Sequence, residues 1–163
     1  DWSSDVCSSD LLKRKEGTIV AKFAATDYSI TINGIDLSSS IASVELNWGY
    51  DELDITAFSN PGKVSAQGLV TGDIKIDFHQ DFAGGTASLD ARLWTWTTAT
   101  TLTTVVIKPT SSAVGTNNPS FTATCRPLQY SPVASSVGDL STVSVTWPLA
   151  ANGTAQPVVR ATA

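Results

Sequence analysis

The chain has 163 residues, 42% of them hydrophobic and 15% charged, with a formal net charge of −5. That length suits one domain with a real core, and the mild acidity argues against tight nucleic-acid binding, which needs clustered Lys and Arg to displace counterions. No apolar run approaches the ~20 residues of a membrane helix, and no apolar h-region follows Lys13-Arg14-Lys15, so neither a membrane span nor a signal peptide is expected.

Asp1–Leu11 matches the in-frame translation of a common sequencing adapter and has no periodic pattern. Lys15-Glu16-Gly17 can be encoded by a purine-rich ribosome-binding sequence, and Val20 by a GTG start codon after it. Residues 1–19 are therefore expected to be a non-native leader, and 20–163 a single β domain. Without Lys13, Arg14, Lys15, Asp1, Asp5, Asp10 and Glu16, seven basic and eleven acidic residues remain, a net charge of −4. Cys125 is then the sole cysteine. No intramolecular disulfide can form, which fits a protein assembled in a reducing compartment.

Tyr28–Ile32 alternates and meets Asn33-Gly34, the chemistry of a type I′ turn, so the chain should return through Ile35-Asp36-Leu37. Ser38–Ser40 reads as a connection. Ile41–Trp48 is a strand with Val44, Leu46 and Trp48 on one face. Gly49-Tyr50-Asp51 reads as a turn and Glu52–Ala57 as the next strand. Phe58–Gly68 contains Asn60-Pro61-Gly62 and is long for a hairpin connection. Such a loop is either solvated or ordered by a partner, and its candidate contact residues are Phe58, Asn60, Pro61, Lys63, Val64 and Gln67.

Asp73–His79 alternates strictly, as a strand with one buried face does. After the Gly84-Gly85 break, Ala87–Trp96 places Leu89, Leu93 and Trp96 on the stripe of a short amphipathic helix. Thr97–Thr101 is a linker. Leu102–Lys108 is a β-branched strand, and Thr110–Asn118 a loop. Ser120–Gln129 alternates but contains Pro127, which reads as an edge or bulged strand. Ser131–Asp139 is a loop. Ser141–Trp147 turns Val143, Val145 and Trp147 inward, and Val158–Arg160 is a weak final strand. About eight strands and one helix without a βαβ rhythm make a mainly β fold, an antiparallel β-sandwich or barrel with one short flanking α-helix.

Little in the chain carries chemistry. His79 is the only histidine, it falls on the polar face of its strand, and no Gly-x-Ser-x-Gly elbow is present. One His and one Cys cannot build a structural zinc site. Asp51, Glu52 and Asp54, like Asp73, Asp77 and Asp81, could act as paired carboxylates or bind calcium. Alternation explains them more simply as solvated faces. Trp48 and Trp147 sit in phase with aliphatics and are expected in the core, whereas Trp94 or Trp96 must leave the helix stripe and is a candidate interface anchor. Asn152-Gly153-Thr154 reads as a turn although it matches a glycosylation sequon. No catalytic residue, metal ligand or cofactor is assigned.

The segment Ala21–Ala163 resembles the major tail tube proteins (major tail subunits) of long-tailed bacteriophages. The resemblance rests on Ser29–Leu37, on Asp51-Glu52-Leu53-Asp54 before Ile55-Thr56-Ala57-Phe58, on Ile76–Phe82, and on the helix ending Leu93-Trp94. It continues through Val106–Pro109, Asn118–Phe121, Tyr130–Pro132, Val137–Leu140 and Val145–Leu149 in the same order. It implies a β-sandwich with one flanking helix, expected to form six-subunit rings that stack into the tail tube through which genome DNA passes. Inner-sheet strands would run on from subunit to subunit. The Phe58–Gly68 loop would reach the neighbouring ring and order there, and Asp73, Lys75, Asp77, His79, Trp94 and Trp96 would be interface candidates. Partners would be further copies, the tape-measure and tail-terminator proteins and, transiently, DNA. The location would be the virion tail, assembled in the host cytoplasm, with no membrane involved. A carbohydrate-binding or adhesin β-sandwich, or a small hydrolase using His79, are the rival readings.

Overall fold

The computed structural model describes residues 24–162. The expected leader and the Val20 start lie outside the described residues. In chain order the elements are β1 (Ser29–Ile32), β2 (Ile35–Asp36), β3 (Ile41–Asp54), β4 (Ser65–His79), α1 (Leu89–Thr98), β5 (Thr103–Lys108), β6 (Ser120–Cys125), β7 (Thr142–Pro148) and β8 (Val158–Ala161). They form two antiparallel sheets, one ordered β2-β1-β5-β6-β8 and the other β3-β4-β7. The fold is mainly β, as alternation predicts, and consistent with a β-sandwich carrying one short helix.

The strands form where alternation meets a core. Ile74, Ile76 and Phe78 of β4, and Val143, Val145 and Trp147 of β7, are buried against Ile30, Ile32, Val105, Ile107, Ala123 and Cys125 of the larger sheet. The β1–β2 hairpin closes through Asn33 (φ 49°) and Gly34 (φ 78°), the left-handed pair a type I′ turn needs. Helix α1 starts at Ser88, whose hydroxyl accepts from the Ala91 amide. Leu89 and Leu93 enter the core, and Trp96 meets Trp147 edge to face at 6.4 Å between ring centroids. Beyond β7 the chain crosses to the larger sheet. The Arg126 amide donates to the Pro148 carbonyl and the Ala150 amide to that of Thr124, at 3.0 and 2.9 Å, which closes one side of the sandwich.

Several expectations need correction. Gly49-Tyr50-Asp51 is not a turn: β3 runs unbroken for 14 residues, and Gly49 pairs with Thr71 inside it. The connection is shifted from Phe58–Gly68 to residues 55–64, because β3 ends at Asp54, leaving Ile55–Ala57 of the expected Glu52–Ala57 strand in the loop, and Ser65–Gly68 belong to β4. Trp48 is 52% exposed rather than in the core, since β3 is an outer strand and its inward face is only partly covered. Strand β6 is flanked by β5 and β8. Pro127 lies past its end at Cys125, so its missing amide disturbs no ladder.

Candidate assembly surface

The β3–β4 hairpin sets the shape of the surface. Strand β7 pairs with β4 only from Asp73 to His79. Tyr50–Asp54 and Ser65–Val70 therefore continue as a two-stranded ribbon beyond the sandwich, projecting about 20 Å at 3.4 Å per residue. Gly72 stands where the ribbon leaves the body. A Cβ there would lie 2.1 Å from the Asn47 carbonyl oxygen, so only glycine lets the two backbones approach this closely. Farther out, between the pairs Tyr50/Val70 and Glu52/Gln67, β4 carries one extra residue. Such a bulge twists the ribbon and re-aims its side chains. Leu69 beside it is 80% exposed.

The tip is held by its own hydrogen bonds. The Ile55 amide donates to the Val64 carbonyl at 3.0 Å and the Val64 amide to the Thr56 hydroxyl at 2.8 Å. The Asn60 side-chain oxygen accepts from the Ala57 amide at 3.1 Å, and the Asp54 carboxylate from the Thr56 amide at 2.9 Å. Hydrogen bonding with the Thr56 side chain and then with its amide holds the Asp54 carboxyl below its ordinary pKa. Lys63 pairs with Glu52 at 3.0 Å, both largely exposed. The loop is thus tied internally. It presents Phe58 fully to solvent, with Ile55 and Leu53 more than half exposed. A pre-ordered tip loses little entropy on contact.

The candidate loop residues divide accordingly. Asn60 braces the turn, while Phe58, Pro61 and Lys63 face outward, Val64 is half-buried and Gln67 is an exposed residue of β4. The strand candidates share the outer face of the smaller sheet. There Asp77 accepts hydrogen bonds from Ser144 on one side and Ser43 on the other, which hold its carboxyl below the usual range. Lys75 stands opposite Glu45 and Thr146, Asp73 opposite Asn47, and His79 opposite Thr142. This face is hydroxyl-rich and net acidic. Both serines serve the Asp77 carboxylate and not an imidazole. Among the described residues no group of His, Cys, Asp and Glu is gathered so as to hold a metal ion.

Trp94 is 60% exposed, whereas Trp96 is half-buried on Trp147, so of the two only Trp94 is available as an interface anchor. A polar staple that the sequence does not disclose lies nearby. The Tyr130 hydroxyl donates to Asp90 at 2.6 Å and receives the Gln80 amide at 2.7 Å, and Gln80 also reaches the Pro132 carbonyl at 3.1 Å. It ties the start of α1 and the end of β4 to the segment before β7, on which Val133, Val137 and Leu140 are exposed. Desolvation, then the Asp90 carboxylate, pushes the Tyr130 phenol up to about 12.

Both outer strands of the smaller sheet present a backbone edge without a paired strand among the described residues. An edge as long as β3 is a template for further pairing unless blunted. Among the described residues no helix is long and apolar enough to cross a membrane. No protein-family model matches the sequence, and no curated protein matches it significantly.

Proposed function

We propose that this chain is a structural subunit that assembles with copies of itself into stacked rings, as the tail tube proteins it resembles do. The observation that carries the reading is the projecting β3–β4 ribbon. It holds no core residue, yet it keeps Leu53, Ile55, Phe58 and Leu69 exposed on an ordered scaffold. Apolar side chains held rigidly outside a fold mark an interaction surface. The free edges of β3 and β7 add a second means of association, by continuing the small sheet from copy to copy.

In such a ring the hydroxyl-rich, acidic outer face of β3-β4-β7 is suited to the lumen. It offers carboxylates at Glu45, Asp73 and Asp77 against one ammonium at Lys75. Phosphates would find no basic track to hold them, so DNA would pass without sticking. Tape-measure and terminator proteins would be the further partners, and the virion tail the location.

Exposed Trp48 and Tyr50 favour the carbohydrate-binding alternative. Their rings, however, meet edge to face at 66°, not as one platform for a sugar. Electron microscopy of the concentrated full-length chain tests the proposal. Rings or tubes are expected, whereas a strictly monomeric protein that binds polysaccharide would overturn it.

A further inference from the structure

The chain contains two Asn-Gly pairs, Asn33-Gly34 and Asn152-Gly153, and both are exposed at turns. An asparagine followed by glycine carries a reaction of its own. The glycine amide nitrogen, once it gives up its proton, can reach the side-chain carbonyl carbon with no Cβ in the way. The outcome depends on whether the fold leaves the side chain free to turn onto that nitrogen.

Asn33 is held. Its side-chain oxygen accepts from the Thr104 amide at 3.0 Å, and its own amide donates to the Thr104 carbonyl at 2.8 Å. Register pairs fix the turn, Ile32 with Ile35 on one side and with Val105 on the other. Attack by the Gly34 nitrogen would have to break the side-chain bond and distort a turn that follows directly on buried Ile32.

Asn152 is not held. It lies on the connection between β7 and β8, and its side chain makes no hydrogen bond among the described residues. Its backbone carbonyl accepts from the Ala155 amide at 3.2 Å, and this pair is an isolated bridge outside any strand. The Gly153 amide donates to no described acceptor, and a Cβ placed on Gly153 would meet nothing within 4 Å, so the space around it is open. Farther back both arms are anchored at one residue. The Ala150 amide donates to the Thr124 carbonyl at 2.9 Å, and the Thr124 amide to the Pro157 carbonyl at 2.7 Å. The turn between them can change without disturbing the sheet.

We propose that the fold selects Asn152 as a site of spontaneous covalent modification, at which the Gly153 nitrogen closes on the side chain to form a succinimide. The new bond joins that nitrogen to Cγ. The bond from Cγ to the side-chain nitrogen breaks, and the side-chain nitrogen leaves as ammonia, taking up the proton that the Gly153 amide gave up. Water then opens the imide. Cleavage between the Gly153 nitrogen and Cγ gives aspartate, and cleavage between that nitrogen and the backbone carbonyl carbon gives isoaspartate. Water is the only reagent consumed. Either product adds one negative charge to an already acidic chain, and isoaspartate also lengthens the turn by one main-chain carbon. The inference is independent of the assembly reading.

Ageing the full chain in mildly alkaline buffer, followed by peptide mapping with mass spectrometry, tests it. In the folded chain Asn152 should convert about tenfold faster than Asn33, the factor that one retained hydrogen bond supplies. In concentrated urea the two sites should convert at similar rates, because the dipeptides are the same. The product at Asn152 should include isoaspartate, read by an isoaspartate-specific methyltransferase. Asn152→Gln, which would have to close a larger ring, should abolish the fast conversion and leave that of Asn33 unchanged. Equal rates at the two sites in the folded chain, or faster conversion at Asn33, would overturn the proposal. A preference for Asn152 that persists in urea would overturn it as well, because the fold would then not be its cause.

Discussion

Cutting the ribbon should separate folding from assembly. Replacing Asp51–Leu69 by Asn-Gly closes the hairpin at Tyr50 and Val70, which already face each other in register. No buried apolar residue lies between Leu37 and Ile74 in the chain, so the cut removes nothing from the core. What it removes is a two-stranded ladder, marginal in water on its own, and an exposed ion pair of little worth. Shortening the connection also lowers the entropy of closing it, by about 0.6 kcal/mol per halving of its length. These terms oppose each other, and the net change in stability should stay within about 1 kcal/mol. A single core truncation such as Ile76→Ala should cost about 2–5 kcal/mol by comparison. Urea unfolding followed by tryptophan fluorescence, at concentrations where the parent is monomeric, measures both. Light scattering should meanwhile show that the shortened chain no longer assembles. A stability loss above about 2 kcal/mol would place the ribbon inside the cooperative core, and unchanged assembly would remove it from the contact.

Gly72→Ala should unseat β3 from β4, because its Cβ would sit 2.1 Å from the Asn47 oxygen, whereas Gly49→Ala meets nothing within 4 Å and should be tolerated; thermal melts of the pair decide it. Trp94→Ala should leave the melting temperature unchanged, while Trp96→Ala, which empties the contact with Trp147, should cost roughly 2–4 kcal/mol. The Tyr130 phenol has its folded pKa raised to about 12, so its contribution is complete below the unfolded value near 10 and is lost as pH climbs toward 12. Tyr130→Phe should therefore flatten the loss of stability between those two pH values, and an alkaline limb that stays as steep in the variant would refute the staple.

The sequence is legible where a core imposes a pattern. Ile74, Ile76 and Phe78 alternate because one face of β4 is buried, and Leu89 and Leu93 are spaced as the helix stripe requires. Asn33-Gly34 announces its turn because few residues accept positive φ. The ribbon is illegible for the converse reason. From Gly49 to Asp51 nothing is buried, so no apolar pattern carries the strand across, and a glycine followed by Tyr50 and Asp51 imitates a turn. Trp48 keeps the phase of Val44 and Leu46 yet is exposed, because phase reports which face a residue occupies and not whether a second layer covers it. Pro127 misleads as well: it lies beyond the end of β6 at Cys125 and interrupts nothing. The Tyr130–Asp90–Gln80 staple joins residues 40 and 50 positions apart with no local signature.

An exposed ribbon with an apolar tip is also a hazard, since two such ribbons could pair edge to edge in the wrong geometry. The acidic run below its tip bears on that hazard more than on any chemistry. Two ribbons brought together would oppose Asp51, Glu52 and Asp54 to the same residues of the other copy, and like charges in register are destabilising. A head-to-tail approach, which brings the ribbon onto a different part of the next copy, does not oppose these charges to themselves. The same charges thus penalise the symmetric contact and spare the heterologous one, so the cluster selects orientation at little cost to the fold, as specificity built from repulsion does. Salt bears on this choice through the repulsion, because the Debye length falls from about 30 Å at 0.01 M to about 3 Å at 1 M. Ordered assembly should therefore favour low ionic strength, and high salt should admit irregular ribbon pairing through the apolar tip alone.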